Sequence, residues 1–152
     1  VIGVAGLLAL QNAATRVQPL PALQLQTLEG QPVPLQRFGE GRPAIVNLWA
    51  TWCPHCVREM PVLAEAQRQY PDLDIVFLDQ GEDGARVSRF LQRRGLALDN
   101  VLLDVKGEVG RHFGLRALPA TLFYGRDGSL QDIRIGALSK ATLQERIERL
   151  RR

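Results

Sequence analysis

The sequence has few of the residues that staple small proteins or hold metal ions. It contains two cysteines, two histidines and one methionine in 152 residues. A secreted scaffold held by disulfides uses more cysteines at wider spacing, and a structural zinc site needs ligands beyond Cys53 and Cys56. The two histidines, His55 and His112, would have to fold together to complete such a site. We therefore expect no resident metal.

The sequence also lacks a strongly charged stretch. Its 19 basic and 16 acidic residues give a net charge of +3, and no basic run is longer than the terminal Arg151-Arg152. A nucleic-acid-binding domain would cluster basic residues with aromatic residues among them, so we expect no nucleic-acid partner. The composition, 45% apolar and 23% charged, is ordinary for a globular domain, and the length suits one domain.

No apolar run reaches the roughly 20 residues that a bilayer-spanning helix needs. The longest, Val1–Leu10, is followed by a polar and then proline-rich stretch that is typical of a linker. We interpret residues 1–20 as the remnant of a signal segment or membrane anchor plus a linker. A buried segment is the alternative. Residues 21–152 are then the folded domain.

The hydrophobic pattern predicts alternating strands and helices. A strand of alternating apolar and polar residues is predicted at 23–28, followed by a turn at Glu29-Gly30. Residues 33–35 return as a short partner strand, which Pro32 and Pro34 keep at the edge of the sheet. Further strands are predicted at 44–50, 74–78, 101–103, 120–124 and 130–135, and helices at 54–70, 85–94, 108–113 and after Ser139. This order implies an α/β fold with a mixed, largely parallel central sheet flanked by helices and an N-terminal β-hairpin.

The two cysteines lie where the buried strand 44–50 meets the helix 54–70. Thiol exchange needs a thiolate, and a helix N-terminus favours negative charge. Cys53 is therefore the expected attacking residue, and Cys56, one turn into the helix, is the expected resolving residue. Two cysteines at this spacing also suit a soft metal ion, so a copper-binding chaperone using Cys53, Cys56 and His55 is an alternative of another class.

Two separated motifs resemble one family. Leu48-Trp49-Ala50-Thr51-Trp52-Cys53-Pro54-His55-Cys56, with Glu59 and Pro61 after it, is similar to the active-site segment of the thioredoxin superfamily. The closest pattern is that of its extracytoplasmic TlpA/ResA-like branch. Leu118-Pro119-Ala120-Thr121-Leu122-Phe123 resembles the family's cis-proline loop. The resemblance covers about residues 23–149.

The resemblance implies a thioredoxin fold in which the Leu118–Pro119 bond is cis and faces Cys53. It also implies that Trp52, Leu118 and Pro119 contact an incoming substrate peptide. Cis peptide bonds are nearly confined to proline and usually serve a purpose, here the presentation of backbone groups to that peptide. An ordinary trans proline at the start of a strand is the alternative.

The implied activity is that of a protein thiol–disulfide oxidoreductase whose only redox group is the Cys53–Cys56 disulfide, with no cofactor. Its partners would be protein thiols and disulfides and a membrane electron donor or acceptor. The implied location is periplasmic or otherwise extracytoplasmic, with an inner-membrane anchor on the full-length protein. The TlpA/ResA pattern favours a reductase for cytochrome c or copper-site maturation. Related copper-delivery proteins space their cysteines by three residues, which disfavours the chaperone.

Pro54 and His55 point in another direction. This dipeptide resembles that of DsbA, the strongly oxidising periplasmic member of the superfamily. A histidine beside Cys53 stabilises the thiolate and so raises oxidising power. A disulfide-forming oxidase or an isomerase is therefore the alternative within the same chemistry.

One departure from the thioredoxin pattern bears on proton transfer. Many thioredoxins carry a buried acid six residues before the first cysteine, where this chain has Asn47, which cannot take up a proton in the working pH range. Glu59 lies three residues after Cys56 on the same helix face. A partly buried carboxylate there would have a raised pKa and would relay the proton of Cys56. The alternative is a surface glutamate that pairs with Arg58.

Overall fold

The computed structural model describes residues 19–152. Seven strands and four α-helices alternate along this part of the chain, and a short 3₁₀ helix, Leu35–Arg37, follows the second strand. The strands are β1 (Gln24–Thr27), β2 (Pro32–Pro34), β3 (Ala44–Trp49), β4 (Asp74–Gln80), β5 (Val101–Asp104), β6 (Ala120–Tyr124) and β7 (Leu130–Ile135). The helices are α1 (Pro54–Gln69), α2 (Gly84–Arg94), α3 (Glu108–His112) and α4 (Lys140–Leu150).

The strands form one mixed sheet in the order β2-β1-β5-β4-β3-β6-β7. The central strands β5, β4 and β3 are parallel, whereas β6 and β7 and the β1–β2 hairpin add antiparallel pairs on either side. Parallel strands end at the same edge of a sheet, and the register places Trp49 of β3 opposite Asp79 of β4. The carboxyl ends of these two strands therefore lie side by side, directly before the Cys53 turn and α2.

Strand β3 is buried along its whole length because helices cover both faces of the sheet. Successive side chains point to opposite faces, so Ile45, Asn47 and Trp49 share one face. Ile45 and Trp49 belong to the larger of two hydrophobic clusters, which also contains Cys53, Cys56 and the buried faces of α1, α2 and α4. Leu48 and the other even-numbered residues face the second cluster, beneath α3 and the N-terminal hairpin.

The helix boundaries have local causes. Pro54 occupies the first position of α1, where a missing N–H costs nothing. Asp83 caps α2 by accepting from the Arg86 N–H at 2.8 Å, and Gly95 ends it in the left-handed conformation. Ser139 caps α4, as predicted, by accepting from the Thr142 N–H at 3.1 Å.

The predicted α/β architecture with its N-terminal hairpin is confirmed, and the observed boundaries lie within two residues of the predicted ones. One detail is wrong: the sheet is not largely parallel, since four of the six strand pairings in residues 19–152 are antiparallel. Leu20, which we assigned to the linker, is buried in the second cluster. The apolar segment Val1–Leu10 lies outside the described residues. Within residues 19–152, no helix has the length and apolarity to cross a membrane.

Candidate active site

Cys53 and Cys56 are joined by a disulfide at the start of α1. After β3 the chain turns between Ala50 and Cys53, where the Cys53 N–H donates to the Ala50 carbonyl at 3.2 Å. Cys53 is the N-cap of α1, and its Sγ accepts from the Cys56 N–H at 3.3 Å. Cys53 retains 4% exposure, whereas Cys56 is fully buried. The reactive pair is thus unequal: Cys53 caps the helix and keeps slight exposure, whereas Cys56 has none.

Three exposed residues flank Cys53 in the chain. Trp52 is 64% exposed, an unusual position for so large an apolar group. Pro54 and His55 are exposed at the mouth of α1. The Arg58 guanidinium donates to His55 Nδ1 at 2.7 Å, so the proton of a neutral ring lies on Nε2. Trp52, Pro54, Arg58 and Arg94 line one shallow pocket at the start of α1, which is therefore partly apolar and cationic.

The Leu118–Pro119 peptide bond is cis, as the resemblance implied. Leu118 is partly buried and packs against the hydrophobic cluster that contains Cys53 and Cys56. The Pro119 carbonyl accepts from the Gly136 N–H at 2.9 Å, which ties the loop to the end of β7. The fold therefore brings this loop, 65 residues away in sequence, to the same end of the sheet as the disulfide.

Glu59 lies inside the protein, one turn of α1 after Cys56. It is 2% exposed, so the surface-glutamate alternative is wrong. Its Oε1 accepts from Asn47 Nδ2 at 2.7 Å, and its Oε2 accepts from the Leu138 N–H at 2.8 Å. Burial raises the pKa of Glu59, and the hydrogen bonds from Leu138 and Asn47 offset part of that rise. A buried carboxylate that holds a proton more readily than usual thus lies near the resolving cysteine.

Asn47 occupies the place of the thioredoxin acid and serves side chains rather than the backbone. Its Nδ2 donates to Glu59 and also to Thr121 Oγ1 at 3.1 Å. It reaches α1 because it shares the face of β3 with Ile45 and Trp49. Its Oδ1 has no donor within the described part of the chain. Asn47 therefore orients Glu59 while taking up no proton itself.

Two buried carboxyl groups, Asp79 and Glu82, were not predicted as site residues. Asp79 is fully buried and Glu82 is 9% exposed. Glu82 Oε1 accepts from the Thr51 N–H at 2.7 Å and its Oε2 from the Thr51 hydroxyl at 2.6 Å, two residues before Cys53. The available signal was an acid at the carboxyl end of an apolar strand that runs parallel to β3, where sites of α/β proteins collect.

Within residues 19–152 no group of three His, Cys, Asp or Glu side chains is placed to hold a metal ion. The site brings together a disulfide at a helix N-terminus, a buried acid and a cis-proline loop.

Comparison with known proteins places this geometry in a family. The model of the AhpC/TSA family matches residues 17–133. The thiol-disulfide oxidoreductase ResA of Bacillus cereus is 30% identical over 133 residues, which cover 86% of this chain and 75% of ResA. The thiol:disulfide interchange protein DsbE of Pasteurella multocida is 30% identical over 132 residues, which cover 86% of this chain and 72% of DsbE.

A solved structure shows the same fold. It is that of a secreted Mycobacterium tuberculosis disulfide oxidoreductase homologous to E. coli DsbE, and it superposes with a TM-score of 0.74 at 26% identity. The superposition covers 85% of this chain and 96% of that one. The chain thus belongs to the AhpC/TSA family and is a thioredoxin-fold thiol–disulfide oxidoreductase, similar to ResA and DsbE.

Proposed function

We propose that this protein exchanges disulfides with extracytoplasmic protein partners, with Cys53 as the attacking residue and Cys56 as the resolving residue. The observation that carries the assignment is the asymmetry of the pair. Cys53 Sγ caps the helix, accepts a backbone N–H and belongs to a residue that keeps 4% exposure, whereas Cys56 has none. Backbone donors and the helix dipole stabilise a thiolate at Cys53 and not at Cys56.

The exchange balances as two displacements. The Cys53 thiolate attacks a partner disulfide, so that a Cys53–partner bond forms and the other partner sulfur leaves as a thiolate. Cys56 then gives up its proton and attacks Cys53 Sγ, which restores the Cys53–Cys56 bond and releases the second partner thiolate. Two electrons pass to the partner, and the reverse sequence oxidises a partner dithiol.

Glu59 is proposed as the group that exchanges a proton with Cys56. It is buried one turn further along α1, and burial raises its pKa toward the range in which a carboxyl group takes up protons at working pH. Asn47 and the Leu138 N–H hold both of its oxygens in place. Glu59→Gln should slow exchange around neutral pH, and unchanged exchange rates across the pH range would refute the relay.

The substrate peptide is proposed to dock between Trp52 and the Leu118–Pro119 loop. Trp52 offers an exposed ring beside Cys53, and Leu118 packs against the cluster beneath it. Trp52→Ala should weaken exchange with a protein disulfide more than exchange with glutathione disulfide, because the small disulfide needs no docking surface. Equal losses with both substrates would contradict a docking role.

For the direction of electron flow, we propose reduction of partner disulfides, in cytochrome c or copper-site maturation, with electrons from a membrane donor. The cysteine pair followed by Glu59 and Pro61, shared with the TlpA/ResA-like branch, supports this direction. Oxidation of partners is the second candidate. It is favoured by the contact between Arg58 and His55, because cationic groups near Cys53 stabilise the thiolate and hence the reduced protein.

The location proposed is the periplasm or another extracytoplasmic compartment, with an N-terminal membrane anchor on the full-length protein. The apolar segment Val1–Leu10 and the extracytoplasmic branch of the family support it. Alkaline extraction of membranes from cells that express the full-length protein should leave it in the membrane fraction. Release with the soluble fraction would contradict the anchor.

A trapping experiment tests the roles of the two cysteines. Cys56→Ser leaves the attacking sulfur without its resolving partner, so mixed disulfides with partner proteins should accumulate on non-reducing gels. Cys53→Ser should form none and should lose exchange. Equal trapping by both variants would refute the assignment of Cys53 as the attacking and Cys56 as the resolving residue.

Equilibration with glutathione tests the direction. Reference potentials are about −270 mV for thioredoxin and about −120 mV for DsbA. A potential near the thioredoxin value supports the reductase, and one near the DsbA value supports the oxidase. Arg58→Ala should move the potential toward the reducing end if the His55 contact contributes to oxidising power.

A further inference from the structure

A second acidic pair lies against the active-site turn, apart from the Glu59 network. Asp79 shares its face of β4 with Ile75 and Phe77, which belong to the hydrophobic cluster that contains both cysteines. Asp79 Oδ1 accepts from the Glu82 N–H at 3.1 Å. Glu82 in turn accepts from both the N–H and the hydroxyl of Thr51. A chain of short hydrogen bonds thus runs from the end of β4 to the turn that precedes Cys53.

Glu82 binds Thr51 through two hydrogen bonds, one from the backbone N–H and one from the side-chain hydroxyl. Thr51 follows β3 directly, and the next two residues are the exposed Trp52 and the N-cap Cys53. Because the two carboxylate oxygens of Glu82 accept from the same residue, they fix the backbone of Thr51 as well as its side chain. The position of Glu82 therefore sets where the Thr51–Cys53 turn lies.

Asp79 carries one polar atom that the described residues do not satisfy. Its Oδ2 is buried and has no donor facing it. A proton on Oδ2 would turn this orphaned acceptor into a donor toward the Glu82 carboxylate, and would also remove one of two neighbouring negative charges. The arrangement is complete when the pair holds one proton.

The charged groups around Asp79 are consistent with one proton shared by Asp79 and Glu82. Arg86 of α2 pairs with Glu82 Oε2 at 2.9 Å. The cross-strand neighbours of Asp79 are Trp49 on β3 and Leu103 on β5, and neither titrates. Cys53 and Cys56, on the same face, do not titrate while they are joined. Glu82 and Arg86 are thus the charged groups that act on Asp79.

The proton belongs to Asp79 rather than to Glu82. Burial, followed by the hydrogen bond and negative charge of Glu82, raises the pKa of Asp79 to about 8. Burial alone would raise the pKa of Glu82 as well. The hydrogen bonds from Asp79 and Thr51 and the charge of Arg86 outweigh it, and that pKa is lowered. The pair therefore stays singly ionised up to mildly alkaline pH.

We propose that Asp79 and Glu82 form a proton-holding clamp that positions the Thr51–Trp52–Cys53 turn for thiol–disulfide exchange. Loss of the shared proton loosens the hold on Thr51. Both are positioning residues: Glu82 binds Thr51 in the turn, and Asp79 binds the Glu82 N–H. The inference rests on the proposed role of Cys53 as the sulfur that partners attack.

The test uses the oxidised protein and dithiothreitol. The rate of disulfide reduction is measured from about pH 6 to about pH 10, two units on each side of the Asp79 pKa, and divided by the concentration of the dithiothreitol thiolate. In wild type this corrected rate constant should fall about threefold or more, with its midpoint near pH 8, as the clamp loosens. Asp79→Asn should show no such step, because the amide still donates to Glu82 and never ionises.

Two further variants separate positioning from charge and from general damage. Thr51→Val keeps the hydrogen bond from the backbone N–H to Glu82 and removes the one from the hydroxyl, so the pH-dependent fall in the rate constant should become smaller. If Asp79 acted only by charge repulsion, that fall would keep its full size. Asp104→Asn is the matched control. Asp104 is also a buried acid at the end of a central strand, but it accepts from the Glu108 and Val109 N–H groups, away from the turn. Its step should match that of wild type.

Infrared spectroscopy gives a second measurement if Asp79→Asn folds poorly. Wild type should show a protonated carboxyl band that disappears through about pH 8. The clamp is overturned if the corrected rate is independent of pH, if the step survives in Asp79→Asn, or if no such band titrates. Failure of the attacking role is distinguishable, since it appears as mixed-disulfide trapping by Cys53→Ser, whatever Asp79→Asn does.

Discussion

Replacement of Glu59 separates its packing role from its proton chemistry. The Glu59 carboxylate accepts from Asn47 Nδ2 at 2.7 Å and from the Leu138 N–H at 2.8 Å in a fully enclosed place. Leucine at this position would leave both donors unsatisfied. An unsatisfied buried donor costs about 1–3 kcal/mol, so two of them should lower the free energy of unfolding by about 2–6 kcal/mol.

Glutamine at the same position should cost far less. Its Oε1 can accept from the Leu138 N–H, and its amide group then faces Asn47. If the Asn47 amide rotates, its orphaned Oδ1 accepts from the new amide group and from the Thr121 hydroxyl, whose oxygen now lies 3.1 Å from Nδ2. The unpartnered atom is Asn47 Oδ1 before the change and Asn47 Nδ2 after it, so the number of buried amide atoms without a partner stays the same. We therefore expect Glu59→Gln to change stability by about 1 kcal/mol or less.

Urea unfolding of the two variants beside wild type gives these differences, provided that the slopes agree. Glu65→Gln is the matched control on the same helix. Glu65 is exposed and, among residues 19–152, pairs only with Lys140, so the effect should stay within about 0.5 kcal/mol. A leucine variant as stable as the glutamine variant would refute the bonding scheme.

The pH dependence has a definite sign. The folded-state pKa of Glu59 is raised, so its contribution to stability is fully present below about pH 4 and is lost as the pH rises through that pKa. Wild type should therefore lose stability relative to Glu59→Gln as the pH rises. A constant difference across that range would contradict the buried acid.

The remaining predictions concern stability. The raised pKa of Asp79, about 8 instead of 3.8, makes wild type lose stability between about pH 4 and about pH 8, by about 5 kcal/mol at most, and Asp79→Asn should flatten that slope in urea titrations. Gly84→Ala should destabilise by about 2 kcal/mol or more in thermal unfolding, because a Cβ would meet the Leu28 carbonyl oxygen at 2.1 Å, and a neutral result would mean that the backbones separate freely. Ser139→Ala should cost about 1 kcal/mol through loss of the cap to the Thr142 N–H, and Ser139→Asp should restore it.

Local features were predictable because their causes are local. The buried strand before Cys53, the proline at the first helical position and the cap at Ser139 each follow from neighbouring residues. The burial of Glu59 was one of two stated interpretations, since its spacing from Cys56 places both on one helix face. These elements fixed the identity of the reactive pair.

The rest depends on contacts between distant segments. The antiparallel pairing of Gln26 with Leu103 attaches the N-terminal hairpin to β5, and no local pattern encodes that pairing. The register of Trp49 opposite Asp79 places the end of β4 beside the end of β3, so that Glu82, just after β4, reaches Thr51. A sequence pattern shows that an acid follows an apolar strand, but it does not show the strand register that decides which residues this acid contacts.

The sulfur that caps α1 is also the atom that changes partners during each cycle. A thiolate is a stronger hydrogen-bond acceptor than a disulfide sulfur, so the bond from the Cys56 N–H to Cys53 strengthens on reduction and weakens in a mixed disulfide. The capping bond is therefore strongest in the reduced protein, where Cys53 carries the thiolate. Its donor is the N–H of Cys56, so the residue that ends the encounter also stabilises the thiolate that begins it.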